Sequence, residues 1–189
     1  MVDAVVEAAA RILETRGLGG FNTNAVAERA GISVGSLYQY FPSKEAVVAA
    51  LSVRERALLA AEVAAAAQSA ASLSLEDALH RLAGAAIRRQ LARPALARIL
   101  DFEEQRLALE ESDRATTRDI AGHVVALLRA HGAVLTVADL EKAAFDVIAI
   151  ARALIDAAAG RGAVEPTALE GRIVRAALGY LTGLSHGAC

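Results

Sequence analysis

The sequence predicts an all-α protein, and three observations support that fold class. Apolar residues recur at helical spacing from the start of the chain, as in Val5, Ala9 and Ile12. Residues 44–69 contain neither glycine nor proline, so a single long helix can span them. Alanine, the best helix former, is abundant throughout, and no strands are evident in the pattern.

The first helix is predicted from roughly Asp3 to Thr15 and ends at the glycine-rich residues 17–20. A second helix starts at Asn22 or Thr23, either of which can accept an orphan backbone N–H. Gly31 ends this helix because glycine adopts the left-handed conformation that a tight helix exit needs.

A third helix follows after the turn Gly31-Ile32-Ser33, with Ser33 as its cap. Leu37 and Phe41 lie four residues apart and would face the core, which places Gly35 and Gln39 on the opposite side. Two short helices joined by such a turn are how a chain places one helix in the DNA major groove.

Pro42 ends the third helix, Ser43 caps the next, and Lys44 stands in its first turn, where it could meet a phosphate. This fourth helix would run from Lys44 to about Ser69 and connect two domains, 1–50 and 51–189. Glycine, proline and polar breaks predict five further helices at about 75–92, 95–109, 113–131, 137–159 and 167–184.

Composition indicates a globular protein, with 55% hydrophobic and 22% charged residues among 189. No apolar run is long enough to span a membrane and Asp3 does not suit a secretory signal, so we expect a cytoplasmic protein without a membrane partner. The net charge of −2 argues against a protein that coats DNA unspecifically, although residues 29–44 contain no acid. Cys189 is the only cysteine, which excludes an intramolecular disulfide.

The last two predicted helices carry apolar stripes wider than one neighbour needs, and we expect a homodimer through a four-helix bundle. The alternative is that both helices only pack within their own domain. The predicted dimer interface consists of Val147, Ile148, Ile155, Ile173, Ala177 and Leu181. A dimer presents two recognition helices, so its DNA site would be an inverted repeat.

The segment from Val5 to Leu51 resembles the DNA-binding domain of the TetR/AcrR family of bacterial transcription regulators. The resemblance rests on AVVEAAARILETRG, on TNAVAERAGIS and on VGSLYQYFPSKEAVV. It implies that Asn24, Val34, Gly35, Tyr38 and Gln39 approach base edges. Phosphate contacts would fall to Thr23, Ser36, Tyr38, Tyr40 and Lys44.

Several of these residues also have a purely structural interpretation. Tyr38 and Tyr40 could be core aromatics, Lys44 a solvated charge, and Gly35 a sign either of close DNA approach or of tight helix packing. Three of the few aromatic residues lie at 38, 40 and 41, and this concentration favours DNA binding. Gln39 is the side chain best suited to hydrogen-bond a base such as adenine.

The C-terminal part is expected to bind a small hydrophobic or amphipathic effector of unknown identity. Candidate cavity residues are Phe102, Glu103, Gln105, Arg106 and His123, with surface salt bridges as the alternative. No catalytic constellation, metal-ligand spacing or phosphate loop occurs, so we expect neither an enzyme nor a cofactor or metal.

Together these features predict a sequence-specific transcription regulator. It would have a three-helix helix-turn-helix domain joined by a long helix to a helical domain for ligand binding and dimerisation. The expected mode is a homodimeric repressor that leaves its double-stranded operator when the effector binds. The alternatives are an all-helical enzyme or carrier, or a protein-interaction adaptor, whose helix-turn-helix is only structural.

Overall fold

The computed structural model describes residues 1–107, 110–161 and 165–183, together with their side chains except those of residues 104–114. In this part the chain forms α-helices, two short 3₁₀ turns and no strand, so the all-α prediction is confirmed. The helices are α1 (Val2–Arg16), α2 (Thr23–Ala30), α3 (Val34–Tyr40), α4 (Lys44–Ser69), α5 (Leu75–Ala92), α6 (Pro94–Leu107), α7 (Glu110–Ala130), α8 (Leu140–Gly160) and α9 (Pro166–Thr182). The 3₁₀ turns are Leu18–Gly20 and Gly132–Val134.

Two predicted helix limits differ from the structure for local reasons. Val137 precedes α8 because Asp139 caps that helix, its carboxylate accepting the backbone N–H of Lys142 at 3.0 Å. Residues 111–113, predicted to separate two helices, lie within the first turns of α7. Polar residues at a helix start suit the first turn as well as they suit a loop, so the sequence alone does not distinguish the two.

The chain folds into two compact units. The first contains Met1–Leu58 and the described part of Arg93–Arg114, and the second contains Leu59–Ala92 and the described part of Ala115–Cys189. This division differs from the predicted domains 1–50 and 51–189 because α6, although distant in sequence, packs against α1. The domain limits themselves remain a prediction.

The first unit has its own apolar core. Leu37 of α3 is fully buried there, as are Val26 of α2 and Val47 of α4. Leu96 and Leu100 of α6 are buried in the same cluster, so α6 completes the core that also contains Leu37 of α3.

The second unit is built around α5, α7, α8 and α9, and α9 packs against both α5 and α8. Two polar contacts accompany this packing. Nδ1 of His80 on α5 lies 2.7 Å from the Glu170 carboxylate on α9, and the Tyr180 hydroxyl on α9 donates a hydrogen bond to Asp146 on α8. Within the described residues, no helix is long and apolar enough to cross a membrane.

An ion-pair network ties three parts of the first unit together. Arg93, directly before α6, binds the Glu14 carboxylate of α1 with two nitrogens, Nη2 lying 2.8 Å from Oε2. The same guanidinium lies 3.4 Å from Glu7 and 3.7 Å from Glu55 of α4. Arg54 adds contacts of 3.1 Å to Glu7 and 2.9 Å to Glu55. Charged side chains therefore connect α1, α4 and the start of α6.

This network predicts a loss of stability in acid. The hydrogen bond from Arg93 is the main cause of the lowered pKa of Glu14. Burial acts to raise the pKa of Glu7, but the charges of Arg93 and Arg54 and a hydrogen bond from Arg11 outweigh it and leave the pKa below 4.5. The stabilisation is therefore complete above the unfolded-state pKa and is lost as pH falls through the lower folded-state pKa.

We expect Arg93→Met to lower the free energy of unfolding at neutral pH by about 1–3 kcal/mol, since it leaves Glu14 without its partner. Between about pH 5 and pH 3 the melting temperature should fall less steeply in this variant than in the wild type. Arg11→Met is the control, because the side chain of Arg11 is 58% exposed and its pair with Glu7 should contribute under about 1 kcal/mol. Parallel melting curves for wild type and Arg93→Met over this range would contradict the prediction.

Candidate nucleic-acid interface

The helix α2 is fixed at both of its ends, by a side-chain cap at its start and by a glycine at the turn to α3. At the start, Asn22 caps α2, its Oδ1 accepting the N–H of Ala25 at 2.9 Å. Gly31 has φ 70° and ψ 30°, the left-handed conformation, and the next residue, Ile32, donates its N–H to Ala27 O at 3.0 Å. This is the helix exit that a glycine makes at low cost, and it fixes the angle at which α3 leaves α2.

α3 is short, and one side chain anchors it. Leu37 is fully buried, while Tyr38 is 49% and Tyr40 50% exposed, and Gln39 is exposed as well. Ser33 caps α3 by accepting the N–H of Ser36 at 3.0 Å. The helix thus presents two tyrosines and a glutamine to solvent on a rigid base.

A hydrogen bond links α3 to the start of α2. The hydroxyls of Thr23 and Tyr38 lie 3.1 Å apart, and either can donate. The bond holds the exposed Tyr38 ring beside the N-terminus of α2, where backbone N–H groups and the helix dipole favour an anion. Sequence reasoning missed this pair, because a separation of 15 residues leaves no periodic signal.

Lys44 opens α4 next to the tyrosines in sequence. Ser43 caps this helix, accepting the N–H of Ala46 at 3.2 Å. The Lys44 side chain is 56% exposed and its Nζ lies 4.0 Å from Glu45 Oε1, a distance at which the attraction is weak. The ammonium can therefore turn toward another anion at little cost.

Gly35 lies where the chain leaves room for a larger side chain. Among the described residues, a Cβ atom built on Gly35 would meet only the Ser33 hydroxyl, at 3.8 Å, so none of them requires a glycine here for packing. A helical glycine without a packing role lowers stability by about 0.5–1 kcal/mol relative to alanine. The open space beside it favours the close approach of another molecule.

The structure places the nine predicted DNA-contacting residues in one stretch of the first unit, and none of them is buried. Asn24, Gly35, Tyr38, Gln39, Tyr40 and Lys44 are exposed, and Thr23, Val34 and Ser36 are half-buried. The Ser36 hydroxyl lies 2.8 Å from that of Ser33, so it already has one hydrogen-bond partner. We call Asn24, Gly35, Tyr38, Gln39, Tyr40 and Lys44 the exposed reading surface.

The predicted effector residues are not brought into one described cavity. Phe102 is 59% exposed on α6, and Glu103 beside it is only 4% exposed, both in the first unit. His123 is half-buried on α7 in the second unit. Gln105 and Arg106 lie outside the residues whose side chains are described.

The six predicted interface residues face inward. Five of them are at most 7% exposed in the single chain, and Ile148 is half-buried against the same cluster. The apolar stripes of α8 and α9 thus pack in the core of their own unit. The apolar pattern does not reveal which helices cover a stripe. Apolar residues recur at the same spacing whether the stripe is buried within its own chain or against a second copy. A second copy would have to contact the opposite faces of these helices.

Two family models match the chain. Residues 5–51 match the model described as bacterial regulatory proteins, tetR family. Residues 74–181 match that of the tetracyclin repressor-like C-terminal domain, and this match alone spans more than half of the chain. Comparison with curated proteins gave no significant match.

Solved structures of similar fold include FadR from Bacillus halodurans, a fatty acid degradation regulator. It is 19% identical, covers 98% of this chain and 96% of its own, and has a TM-score of 0.78. PfmR from Thermus thermophilus, a TetR family transcriptional regulator, is 19% identical with coverage of 96% and 99% and a TM-score of 0.63. A TetR transcriptional regulator from Rhodococcus sp. is 23% identical, with 97% and 96% coverage and a TM-score of 0.63.

At these identities the likeness concerns the fold, while the two matched models together span both the helix-turn-helix and the C-terminal helices. The exposed helix α3, which follows a turn closed by Gly31 and is capped by Ser33, agrees with the matched helix-turn-helix model. The resemblance found in the sequence agrees with it as well. The chain belongs to the TetR family of DNA-binding bacterial transcription regulators.

Proposed function

We propose that this regulator is a homodimeric repressor that binds an inverted-repeat operator and leaves it when a small hydrophobic or amphipathic molecule binds the C-terminal helices. One observation carries the DNA half of this proposal: the exposed reading surface, in which α3 is anchored by Leu37 and turns Gly35, Tyr38 and Gln39 toward solvent. An α-helix so exposed fits the width of the major groove.

The roles on the DNA follow from the chemistry of each side chain. Gln39 can donate and accept in the same plane, which suits the N6 and N7 positions of adenine. Asn24, Val34, Gly35 and Tyr38 would approach neighbouring base edges. The hydroxyls of Thr23, Ser36, Tyr38 and Tyr40 and the ammonium of Lys44 would bind phosphates, which position the protein without selecting a sequence.

Dimerisation is proposed through the outer faces of α8 and α9. These faces expose small residues that allow helices to approach closely, and Phe145, an aromatic that is 43% exposed. The outer faces consist of Phe145, Ala149, Arg152 and Ala153 on α8 and of Ala168, Arg172, Arg175 and Ala176 on α9. A two-fold axis there would place the α3 helices of the two copies so that they enter successive major grooves.

The effector half of the proposal rests on the second unit, whose core is made of alanine, leucine, isoleucine and valine side chains. A molecule that opens this core must itself be largely apolar. His123 is the one candidate polar contact that the described side chains place in this unit. Release from DNA requires that the effector bind the free dimer more tightly than the bound one.

Substitutions on the exposed reading surface test the DNA contacts, with binding to the upstream region of its own gene and to random duplex measured over a range of salt. Gln39→Ala should cost about 1–3 kcal/mol on the preferred site and little on random DNA. Lys44→Ala should weaken both equally and lower the slope of log K against log salt by about one.

Matched controls for these variants lie elsewhere in the chain. Gln68→Ala changes an exposed glutamine of α4, and Lys142→Ala an exposed lysine in the first turn of α8. Neither should alter DNA binding or its salt dependence. Equal losses on specific and random DNA for Gln39→Ala would remove it from the base contacts. No binding to any duplex by the folded wild type would reject the proposed function.

A further inference from the structure

The hydroxyls of Thr23 and Tyr38 form a pair whose protons can be counted. Thr23 opens α2 and Tyr38 lies in α3, both in the first unit, and their oxygens are 3.1 Å apart. One hydrogen bond between two hydroxyls uses one of their two protons. While this bond lasts, a single member of the pair has a proton left to donate to a third group.

The DNA backbone would need that remaining proton. A phosphodiester is an anion whose oxygens accept hydrogen bonds and donate none, so a hydroxyl that contacts it must be the donor. The sequence predicts phosphate contacts for both Thr23 and Tyr38. With their mutual bond intact the two hydroxyls cannot both donate to the backbone, so one of them must act through the other.

Exposure and donor strength both favour Tyr38 as the residue that contacts the phosphate. Tyr38 is 49% exposed, whereas Thr23 is half-buried. A phenol is also a stronger hydrogen-bond donor than an aliphatic hydroxyl, because the aromatic ring withdraws electron density from the oxygen. In that arrangement Thr23 donates to the Tyr38 oxygen and Tyr38 donates outward. A hydroxyl that accepts one hydrogen bond donates a stronger one, so the two bonds reinforce each other.

The bond also fixes where the Tyr38 hydroxyl lies. An exposed tyrosine has two side-chain torsions, and ordering them on DNA costs free energy that a contact formed in advance removes. Leu37, the neighbour of Tyr38 in α3, is fully buried and anchors the backbone that carries the ring. The Tyr38 hydroxyl is thus held in position before DNA binds.

We propose that Thr23 is a positioning residue that acts on DNA through Tyr38, and that the two hydroxyls together make one phosphate contact. Thr23 donates to the Tyr38 oxygen, and Tyr38 donates to a phosphate oxygen. This role rests on the proposed function, since the phosphate belongs to the bound operator. It replaces the separate phosphate contact of Thr23.

A double-mutant cycle on the full-length protein tests the coupling, with binding to the upstream region of its own gene measured at fixed salt. Tyr38→Phe should lower the affinity at least about tenfold, since a hydrogen bond to a charged group is lost. Thr23→Val keeps the shape of the side chain and should lower the affinity about three- to tenfold, because Tyr38 loses its fixed position. The combined variant should bind within about twofold of Tyr38→Phe, whereas separate contacts would multiply the two losses.

Three further measurements distinguish this role from a merely structural one. Thr23→Ser retains the hydroxyl and should bind within about twofold of the wild type. Neither Thr23→Val nor Tyr38→Phe should change the slope of log K against log salt, since a hydroxyl carries no charge that displaces counterions. Each variant should lose as much affinity on random duplex as on the operator, because a phosphate contact does not depend on sequence.

Matched controls make the same exchange at other helical threonines. Thr15→Val in α1 removes a hydroxyl that donates to the backbone oxygen of Arg11, and Thr117→Val changes a half-buried threonine of α7. Both should bind DNA as the wild type does. The melting temperature of every variant confirms that it is folded.

Four results would overturn the positioning role while leaving the proposed function intact. They are losses that multiply in the combined variant, wild-type affinity in a folded Thr23→Val, a loss in Thr23→Val that persists in Thr23→Ser, and losses confined to the operator. A folded wild type that binds no duplex would instead reject the proposed function, and the positioning role with it. The two failures therefore give different results.

Discussion

Gly35→Ala is expected to make the protein more stable and a weaker operator binder. The stability gain, about 0.5–1 kcal/mol, comes from replacing a helical glycine whose surroundings leave room for a methyl group. The affinity loss, at least about tenfold on the operator, arises because that methyl group would occupy space in which α3 meets the base edges. A larger side chain, Gly35→Leu, should remove specific binding altogether while the protein remains folded.

Gly122→Ala is the matched control for this prediction. Gly122 is an exposed glycine within α7, and a Cβ atom there meets no atom of the described residues within 4 Å. Its stability should rise by a similar amount and its operator affinity should not change. Melting temperature and operator affinity are measured on both variants. If Gly35→Ala and Gly122→Ala bind the operator equally well, α3 does not approach DNA at Gly35.

The helix-turn-helix could be predicted from local signals because each of its parts depends on near neighbours in sequence. A glycine in the left-handed conformation ends α2, and hydroxyl and amide side chains cap α2, α3 and α4 within three residues of their targets. Leu37 was predicted as core from a spacing of four residues and is fully buried. Such signals are complete within a window of a few residues.

The remaining features depend on contacts between residues far apart in sequence, and periodicity does not predict such contacts. The Thr23–Tyr38 bond and the Arg93–Glu14 pair, whose partners are 79 residues apart, both require the tertiary fold. The choice between Asn22 and Thr23 as the α2 cap was left open by the sequence, and the structure resolves it for Asn22. Local rules limit the candidates, and packing selects among them.

The predicted dimer interface shows the same limit more clearly. An apolar stripe on α9 indicates that one face is covered, but it does not tell whether the cover is α5 and α8 of the same chain or a second copy. Ile173, Ala177 and Leu181 turn out to be almost completely buried within their own unit. We therefore propose that association uses the exposed residues between them, which carry no stripe of large apolar side chains.

Substitutions of two neighbouring alanines on α9 distinguish a loss of folding from a loss of association. Ala177 is 1% exposed in the core of the second unit, whereas Ala176 beside it is exposed on the outer face. Ala177→Arg would bury an unpaired charge and should cost more than about 3 kcal/mol, enough to unfold a protein of ordinary stability or to lower its melting temperature sharply. Ala176→Arg should leave the fold intact, since arginine is a good helix former.

The expected consequence of Ala176→Arg is a folded monomer. Its new charge would lie beside Arg172 and Arg175 on the outer face and opposite the same group of the second copy, so repulsion and bulk both oppose association. The affinity for an inverted repeat should then fall to the affinity for a single half-site, because binding of one α3 helix no longer brings a second one to the DNA. Light scattering gives the mass, and circular dichroism confirms the fold. A wild type that is already monomeric at micromolar concentration, or an Ala176→Arg variant that stays dimeric, would place the dimer contact elsewhere or remove it.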